Sequence, residues 1–96
     1  MASIKKPWWH IHTDFAFPHL GCHFIVVDAY SKYLNITVMS STTSRLAVAV
    51  LHQLFDQHGV SKTIASDNRA QFSSLEFEQF CKANAIKHFF SLPHHP

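Results

Sequence analysis

The sequence predicts a mixed α/β domain in which three antiparallel strands precede an alternation of helices and strands. β-Branched and aromatic residues fill three early runs, 8–17, 22–29 and 33–40, separated by short turn-like pieces. Apolar residues then recur twice at helical spacing, and a short apolar run follows each helical segment, at 60–66 and 86–91. The predicted order is β-β-β-α-β-α-β, which indicates an α/β mixed sheet with helices packed on it.

The first three strands are predicted to form a meander, because Pro18–Gly21 and Tyr30–Lys32 are natural turns. Within the second strand every position of Phe24–Val27 is apolar. Such a run is typical of a strand that is covered on both faces.

The helices are predicted from their ends as well as from their spacing. The first begins after the Ser/Thr cluster 40–44 and stops at Gly59, a residue suited to a left-handed helix end. For the second, Ser73 and Glu76 have the spacing of a capping box.

Size and composition limit the classes of protein to consider. The 96 residues, 47% of them hydrophobic, are enough for one domain with a modest core. A formal charge of +2 is too small to identify a nucleic-acid partner by itself. Cys22 and Cys81 match no metal or redox motif, so we expect reduced thiols in an intracellular protein. No apolar stretch reaches the length of a membrane span, so no membrane partner is expected.

Two aspartates are the main candidates for chemistry. Asp14 lies in an otherwise mostly apolar run, and Asp67 follows a predicted strand in Ser66-Asp67-Asn68. Neither has a directly adjacent cation, and ligands bind at the carboxyl ends of strands in open α/β sheets. A shared divalent-metal site would explain both. A hydrogen-bonded aspartate at a strand end and an Asx-turn are the structural alternatives, and they stay open.

Histidine and tryptophan give weaker predictions. The nine histidines show no Cys-x-x-Cys or His-x-x-x-His spacing, so scattered background histidines are the commoner explanation and a zinc module is an alternative. Trp8 and Trp9 point to opposite faces, so at most one is buried by the sheet. Core packing is favoured over a base-stacking platform.

Many short motifs occur in a fixed order along the chain. They are Trp9 with Asp14-Phe15, the run 24–33, Thr42-Thr43, Leu54-Phe55 with His58-Gly59-Val60, Ser66-Asp67-Asn68 with Gln71-Phe72, Phe77 with Phe80-Cys81, Ile86 with His88, and 91–96. In this order the chain resembles the catalytic core of retroviral and LTR-retrotransposon integrases, most closely the Ty3/gypsy-like group. The resemblance covers nearly the whole sequence.

The resemblance implies a ribonuclease H-like fold whose active site contains two Asp and one Glu. Asp14 and Asp67 match the two Asp, as catalytic residues and metal ligands, and the Glu is expected beyond Pro96. Two Mg²⁺ or Mn²⁺ ions are expected in a complete site, with Asp14 shared by both ions. Asn68, Arg69 and Gln71 are expected to contact DNA.

The resemblance also sets expectations for function. It implies that residues 1–7 are an N-terminal extension and that residues 8–96 are a partial integrase catalytic core, truncated before the Glu. Further helices after Pro96 are expected to cover the sheet.

The expected function is DNA integration by a metal-dependent polynucleotidyl transferase. Two carboxylates without the third are expected to leave little strand transfer, so enzymatic activity of this chain is an open question. The alternative is a non-enzymatic, domesticated remnant that binds DNA or a protein. The expected partners are DNA and, in the full-length protein, copies of the same protein. The expected location is the nucleus.

The sequence departs from the family pattern at two turns. Arg69-Ala70 stands where the family usually has Gly-Pro, and Asn84-Ala85 stands in place of Asn-Gly. The second change predicts a less comfortable exit from the second helix, because Ala tolerates a positive φ poorly.

Overall fold

The computed structural model describes residues 8–17, 21–67 and 72–90. The elements are β1 (His10–Ala16), β2 (Cys22–Asp28), β3 (Leu34–Met39), α1 (Ser44–His58), β4 (Thr63–Ser66), α2 (Leu75–Ala83) and β5 (Lys87–Phe90). The predicted order is confirmed, although the strand expected from 60 begins only at Thr63. The turn at 18–20 and the predicted end of the last strand at Ser91 lie outside the described residues.

The five strands form one mixed sheet in the order β3-β2-β1-β4-β5. β1, β2 and β3 are an antiparallel meander, whereas β4 runs parallel to β1 and β5 parallel to β4. The carboxyl ends of β1 and β4 therefore lie side by side at one end of the sheet.

One face of the sheet, here called the packed face, carries the core. Ile11 and Phe15 of β1 and Phe24 and Val26 of β2 are buried there against residues of α1 and α2. Phe72, which precedes α2, stacks on Phe15 with ring centroids 5.1 Å apart. Each buried ring removes a large apolar area from water and so stabilises the packed face.

The opposite face, here called the open face, is covered by no element of the described residues. Strand alternation and the β2–β3 register bring Leu34, Ile36 and Val38 onto it, and each is more than half exposed. Ile25 and Val27 beside them are only partly buried. The expectation that β2 is covered on both faces therefore does not hold within the described residues, because both helices pack on the same side of the sheet.

The ends of α1 follow the predicted pattern. Thr43 caps the start, where its Oγ1 accepts a hydrogen bond from the Leu46 amide, and Gly59 ends the helix with a φ of 93°. The Gly59 amide donates to the Phe55 carbonyl at 2.8 Å. Glycine is favoured here because it has no Cβ to resist a positive φ.

The ends of α2 differ from the sequence prediction at one residue. Ser74, not Ser73, is the cap, because the Ser74 hydroxyl accepts the Phe77 amide hydrogen bond at 3.1 Å. At the other end Ala85 has a φ of 55°, in the left-handed region. The predicted strained exit from this helix is therefore confirmed.

Neither helix in the described part of the chain has the length and apolar character needed to cross a membrane.

Candidate functional site: two aspartates at neighbouring strand ends

Asp14 lies near the carboxyl end of β1, the central strand of the sheet. Its side chain is on the open face, together with His10, His12 and Ala16, because the packed face takes the alternate residues. The carboxylate Oδ1 accepts a hydrogen bond of 2.8 Å from the backbone amide of Phe15. The side chain is partly buried, so this bond orients the carboxylate without closing it off from solvent.

Asp67 follows β4 directly and lies beside Asp14. The parallel register pairs Thr13 with Ser66, so the next residue on each strand, Asp14 and Asp67, takes an adjacent position. Oδ1 of Asp67 is 3.2 Å from Nε2 of His12, which lies on the open face. The two sequence-predicted aspartates are therefore brought to the same end and the same face of the sheet.

His12 is a residue that the sequence analysis did not assign to the site. Its imidazole and the Asp67 carboxylate are 38% and 50% exposed, so the contact is accessible to solvent. The pattern that could have identified it is strand alternation, because a residue two positions before Asp14 must share its face.

A chain of hydrogen bonds on the packed face supports the two strand ends. Thr13 Oγ1 and Ser66 Oγ lie 2.7 Å apart, and Ser66 Oγ lies 3.1 Å from Nε2 of His88. These groups are on β1, β4 and β5, so they tie the three strands together directly beneath the aspartates. Burial lowers the pKa of the His88 imidazole and so favours its neutral form, whereas the charge of Glu78 acts in the opposite direction.

The residues present fit a divalent cation in donor type. Two carboxylates at adjacent strand ends are hard oxygen donors, which Mg²⁺ prefers, and Mg²⁺ needs few protein ligands because it keeps several waters. Among residues 8–17, 21–67 and 72–90, no three His, Cys, Asp or Glu side chains come close enough to hold a metal ion. The described site therefore supplies two carboxylates and no third ligand, and the same observation gives the zinc alternative no support.

Asp28, the last residue of β2, is held by hydrogen bonds within the β2–β3 turn and is separate from the two aspartates at the other end of the sheet. Burial alone would raise its pKa, but hydrogen bonds from the Ser31 side chain and from three backbone amides lower it. Its Oδ2 accepts the Ser31 hydroxyl at 2.6 Å. Asn68, Arg69 and Gln71 lie outside the described residues, so their DNA contacts stay predictions.

Comparison with a family model gives a match over most of the chain. Residues 5–96 match the model described as "Integrase core domain". A protein of Caenorhabditis elegans described as uncharacterized is 38% identical over 93 residues, which is 96% of this chain but 7% of that protein. The chain thus spans a small fraction of the length of this relative.

Two solved structures show the same fold. The integrase catalytic core domain of HTLV-2, in complex with magnesium and in a trimeric form, matches with a TM-score of 0.79 and 25% identity over 88% of this chain and 60% of that one. The simian T-cell lymphotropic virus intasome in complex with PP2A regulatory subunit B56 gamma matches with a TM-score of 0.82 and 24% identity, over 95% of this chain and 37% of that one.

The predicted ribonuclease H-like fold and the resemblance to integrases are confirmed, and the Ty3/gypsy-like subgroup stays a prediction. The match over residues 5–96, together with these relatives, shows that the chain belongs to the metal-dependent integrase core domain family.

Proposed function

We propose that this chain supplies the two-aspartate part of a metal-dependent polynucleotidyl transferase core that inserts retroelement DNA into target DNA. The observation that carries the proposal is the side-by-side position of Asp14 and Asp67 at the carboxyl ends of parallel strands β1 and β4. Carboxylates in this arrangement can share a cation.

The metal would be Mg²⁺ or Mn²⁺, two ions in a complete site, held by Asp14 and Asp67. Bound there, the ions would activate a water or a DNA 3′-hydroxyl and stabilise the leaving oxygen during in-line attack on phosphate. The protein contributes the positions of the carboxylates. The Phe15 amide orients Asp14, and the Thr13–Ser66 hydrogen bond sets the spacing of the two strand ends.

His12 contributes to this proposal by holding Asp67. Asp67 lies beyond the last residue of β4 and is exposed, so its side chain lacks the support that a strand gives. The contact with His12 keeps the Asp67 carboxylate on the open face, on the same side as Asp14. We include His12 as a positioning residue rather than a ligand.

The substrate and partners follow from the family. DNA would be the substrate, copies of the same protein would be partners in the full-length protein, and the site of action would be the nucleus, where chromosomal target DNA is found. Asn68, Arg69 and Gln71, next to Asp67 in sequence, would contact the DNA backbone or bases.

A calorimetric titration with Mn²⁺ tests the metal site. We expect Asp14→Asn and Asp67→Asn each to weaken Mn²⁺ affinity by at least about tenfold, since each removes a direct ligand. Asp56→Asn is the matched control, because Asp56 is an exposed aspartate on α1 and makes the same change of charge. Equal Mn²⁺ affinity in all three variants would contradict the proposal.

The same variants separate the transferase from a non-enzymatic DNA-binding remnant. The remnant predicts DNA retention that falls with salt, is unchanged by Mg²⁺, and is insensitive to Asp14→Asn and Asp67→Asn. The transferase core predicts that Mg²⁺ alters DNA binding and that both substitutions abolish this effect.

A further inference from the structure

A small pocket lies on the packed side of the sheet, where the end of β2 and the following turn meet the last residue of α1. It has a volume of about 220 Å³ and is lined by Trp8, Asp28, Ser31, Tyr33 and His58. We call it the turn pocket. Its inner residues, Trp8 and Asp28, are buried, whereas Ser31, Tyr33 and His58 are exposed, so the pocket opens to solvent between the turn and the helix end.

The turn pocket is separate from the candidate metal site. In the β1–β2 register Asp28 pairs with Ile11 and Asp14 pairs with Ile25, so three residues, about 10 Å of extended strand, lie between the two positions. Asp28 is on the packed face and Asp14 is on the open face. No residue of the turn pocket lines the depression beside His12 on the open face.

Asp28 brings a buried negative charge to this pocket. The residue is 1% exposed, and its oxygens accept hydrogen bonds from the Tyr30 amide at 3.1 Å, the Ser31 amide at 3.3 Å and the Ser31 hydroxyl at 2.6 Å. The Trp8 amide is a further donor. Within residues 8–17, 21–67 and 72–90, no Lys, Arg or His forms an ion pair with Asp28. The donors satisfy the lone pairs of the carboxylate, but no cation neutralises its charge.

Trp8 brings a buried donor. Its side chain belongs to the core and is 4% exposed, and the indole Nε1 has no hydrogen-bond partner in the described part of the chain. Trp9 is only partly buried, so the prediction that at most one of the two tryptophans is buried is confirmed. Buried indole N–H groups usually donate to an acceptor. A ligand that places an oxygen atom in the turn pocket would satisfy this donor.

Three aromatic rings form one wall of the turn pocket. The ring centroids of Trp8 and His58 are 4.5 Å apart, those of Tyr33 and His58 are 5.3 Å apart, and those of Trp8 and Tyr33 are 6.3 Å apart. Tyr33 is 44% exposed, so the wall extends from the core to the surface. Aromatic faces attract cations, and most strongly where a carboxylate is also close. Lys32, in the same turn, lines the depression on the open face instead of this pocket.

We propose that the turn pocket binds a quaternary ammonium group with a neighbouring hydroxyl, the chemistry of choline. Asp28 supplies the negative charge, the aromatic wall contacts the methyl groups, and the Trp8 Nε1 donates to the hydroxyl oxygen. A primary ammonium group must donate hydrogen bonds, and the Asp28 oxygens already accept four. A quaternary ammonium group makes no such demand and is recognised through charge and aromatic faces.

Size and charge are consistent with this ligand. A volume of about 220 Å³ corresponds to about seven water-sized groups, and choline has the same number of non-hydrogen atoms. Asp28 repels an anion, and a neutral apolar ligand would leave both its charge and the Trp8 donor uncompensated. The proposal is independent of the proposed function, because it requires neither a metal ion nor a nucleic acid.

A fluorescence titration with choline chloride at constant ionic strength tests the proposal. The Trp9→Phe variant is used, because Trp8 is then the only tryptophan and reports on the pocket directly. The titration is run at pH 8, at which an ordinary imidazole is uncharged and does not repel a cation. We expect choline to bind at least about threefold more tightly than its neutral isostere 3,3-dimethyl-1-butanol and than ethanolamine.

Substitutions of two tyrosines in the same turn locate the binding. Tyr33→Leu removes a ring of the wall and is expected to weaken choline binding by about threefold or more, whereas Tyr33→Phe keeps the ring and the affinity. Tyr30→Leu is the matched control, because Tyr30 is also exposed but does not line the turn pocket. Asp28→Asn, once circular dichroism shows that it is folded, is expected to abolish the preference for choline over the neutral isostere.

Three results would overturn the proposal. They are equal affinities for choline and the neutral isostere, equal choline affinities in Tyr33→Leu and Tyr30→Leu, and no heat of choline binding by calorimetry. Co-sedimentation of the chain with phosphatidylcholine vesicles distinguishes the sources of the group. Sedimentation that free choline reverses indicates a lipid headgroup, and choline binding without sedimentation indicates a free small molecule; both support the pocket.

Discussion

The two faces of the sheet have similar amounts of apolar sequence but very different surroundings. On the packed face Phe24 and Val26 are completely buried, whereas on the open face Ile36 is 52% and Val38 75% exposed. The two buried residues are on β2 and the two exposed residues are on the neighbouring strand β3. Apolar content alone therefore does not tell which face the helices cover.

The difference shows where chemistry is possible in this domain. A carboxylate on the packed face must be satisfied internally, as Asp28 is by Ser31, because an unpaired buried charge is costly. Asp14 and Asp67 are on or beside the open face, where solvent, a cation and a nucleic-acid strand can reach them. Strand ends on the accessible face are thus the places where this fold can keep charged groups available.

The largest expected effect comes from removing equivalent rings from the two faces. Phe24→Ala on the packed face is expected to lower the free energy of unfolding by about 3–5 kcal/mol, the usual cost of a buried Phe. Phe89→Ala on the open face is expected to cost less than about 1 kcal/mol. Urea denaturation followed by circular dichroism measures both, and Phe24→Leu provides a milder change if the alanine variant does not fold. Equal losses at the two positions would contradict the assignment of the faces.

The carboxylate of the packed face gives the next effect. Asp28→Asn is expected to lower the free energy of unfolding by about 1–3 kcal/mol at pH 7, because buried hydrogen bonds to a charged group are lost. The pKa of Asp28 in the folded protein is below its ordinary value of 3.8. Its contribution is therefore complete above pH 3.8 and is lost as the pH falls through the lower folded value.

Acid titrations of stability check this sign. The wild-type chain should lose more stability below pH 4 than Asp28→Asn does. Asp56→Asn on the exposed side of α1 is the control and should leave the acid dependence nearly unchanged. A steeper acid loss in Asp28→Asn than in the wild type would show that the sign is wrong.

Histidines of the two faces give a smaller, pH-dependent effect. The pKa of His88 on the packed face is lowered below 6.5 by burial, so its neutral form stabilises the fold above pH 6.5 and this contribution falls as the pH drops through the folded pKa. We expect the free energy of unfolding of His88→Gln to fall less than that of the wild type between pH 7 and pH 5, because the substitution removes the group that must be protonated. His23→Gln, on the open face of β2, is the matched control. An identical pH dependence in the wild type and His88→Gln would be evidence against a buried neutral imidazole.

The smallest effect concerns backbone conformation rather than packing. Ala85 has a φ of 55°, so Ala85→Gly is expected to raise the free energy of unfolding by about 0.5–1 kcal/mol. Ala49→Gly, on the exposed side in the middle of α1, makes the same chemical change within a helix and should be destabilising by up to about 1 kcal/mol. Thermal melts of the two variants should shift in opposite directions, and shifts of the same sign would contradict the strain at Ala85.

Much of the fold was predictable because local sequence and final structure agree. Gly59 ends α1, and Tyr30–Lys32 lies in the turn between β2 and β3, both as the sequence predicts. Ser73 was preferred to Ser74 as the cap of α2, since both are serines and only the folded geometry shows which hydroxyl reaches the Phe77 amide.

The candidate site was predictable in part. Asp14 and Asp67 were identified from strand ends and from the family motifs, and the β1–β4 register brings them together. The role of His12 depends on a long-range contact with Asp67, and the Thr13–Ser66–His88 chain joins three strands. Contacts of this kind depend on register between distant segments, and a single sequence does not contain that information.

The central claim is that Asp14 and Asp67 form one cation site on the open face. The most direct test is a titration of the isotope-labelled chain with Mn²⁺, followed by paramagnetic broadening of backbone amide signals. The account predicts selective broadening at Asp14, at its cross-strand partner Ile25 and at Ser66, which disappears in Asp14→Asn and in Asp67→Asn but persists in Asp56→Asn. Broadening centred elsewhere, or unchanged in the Asp14 and Asp67 variants, would contradict it.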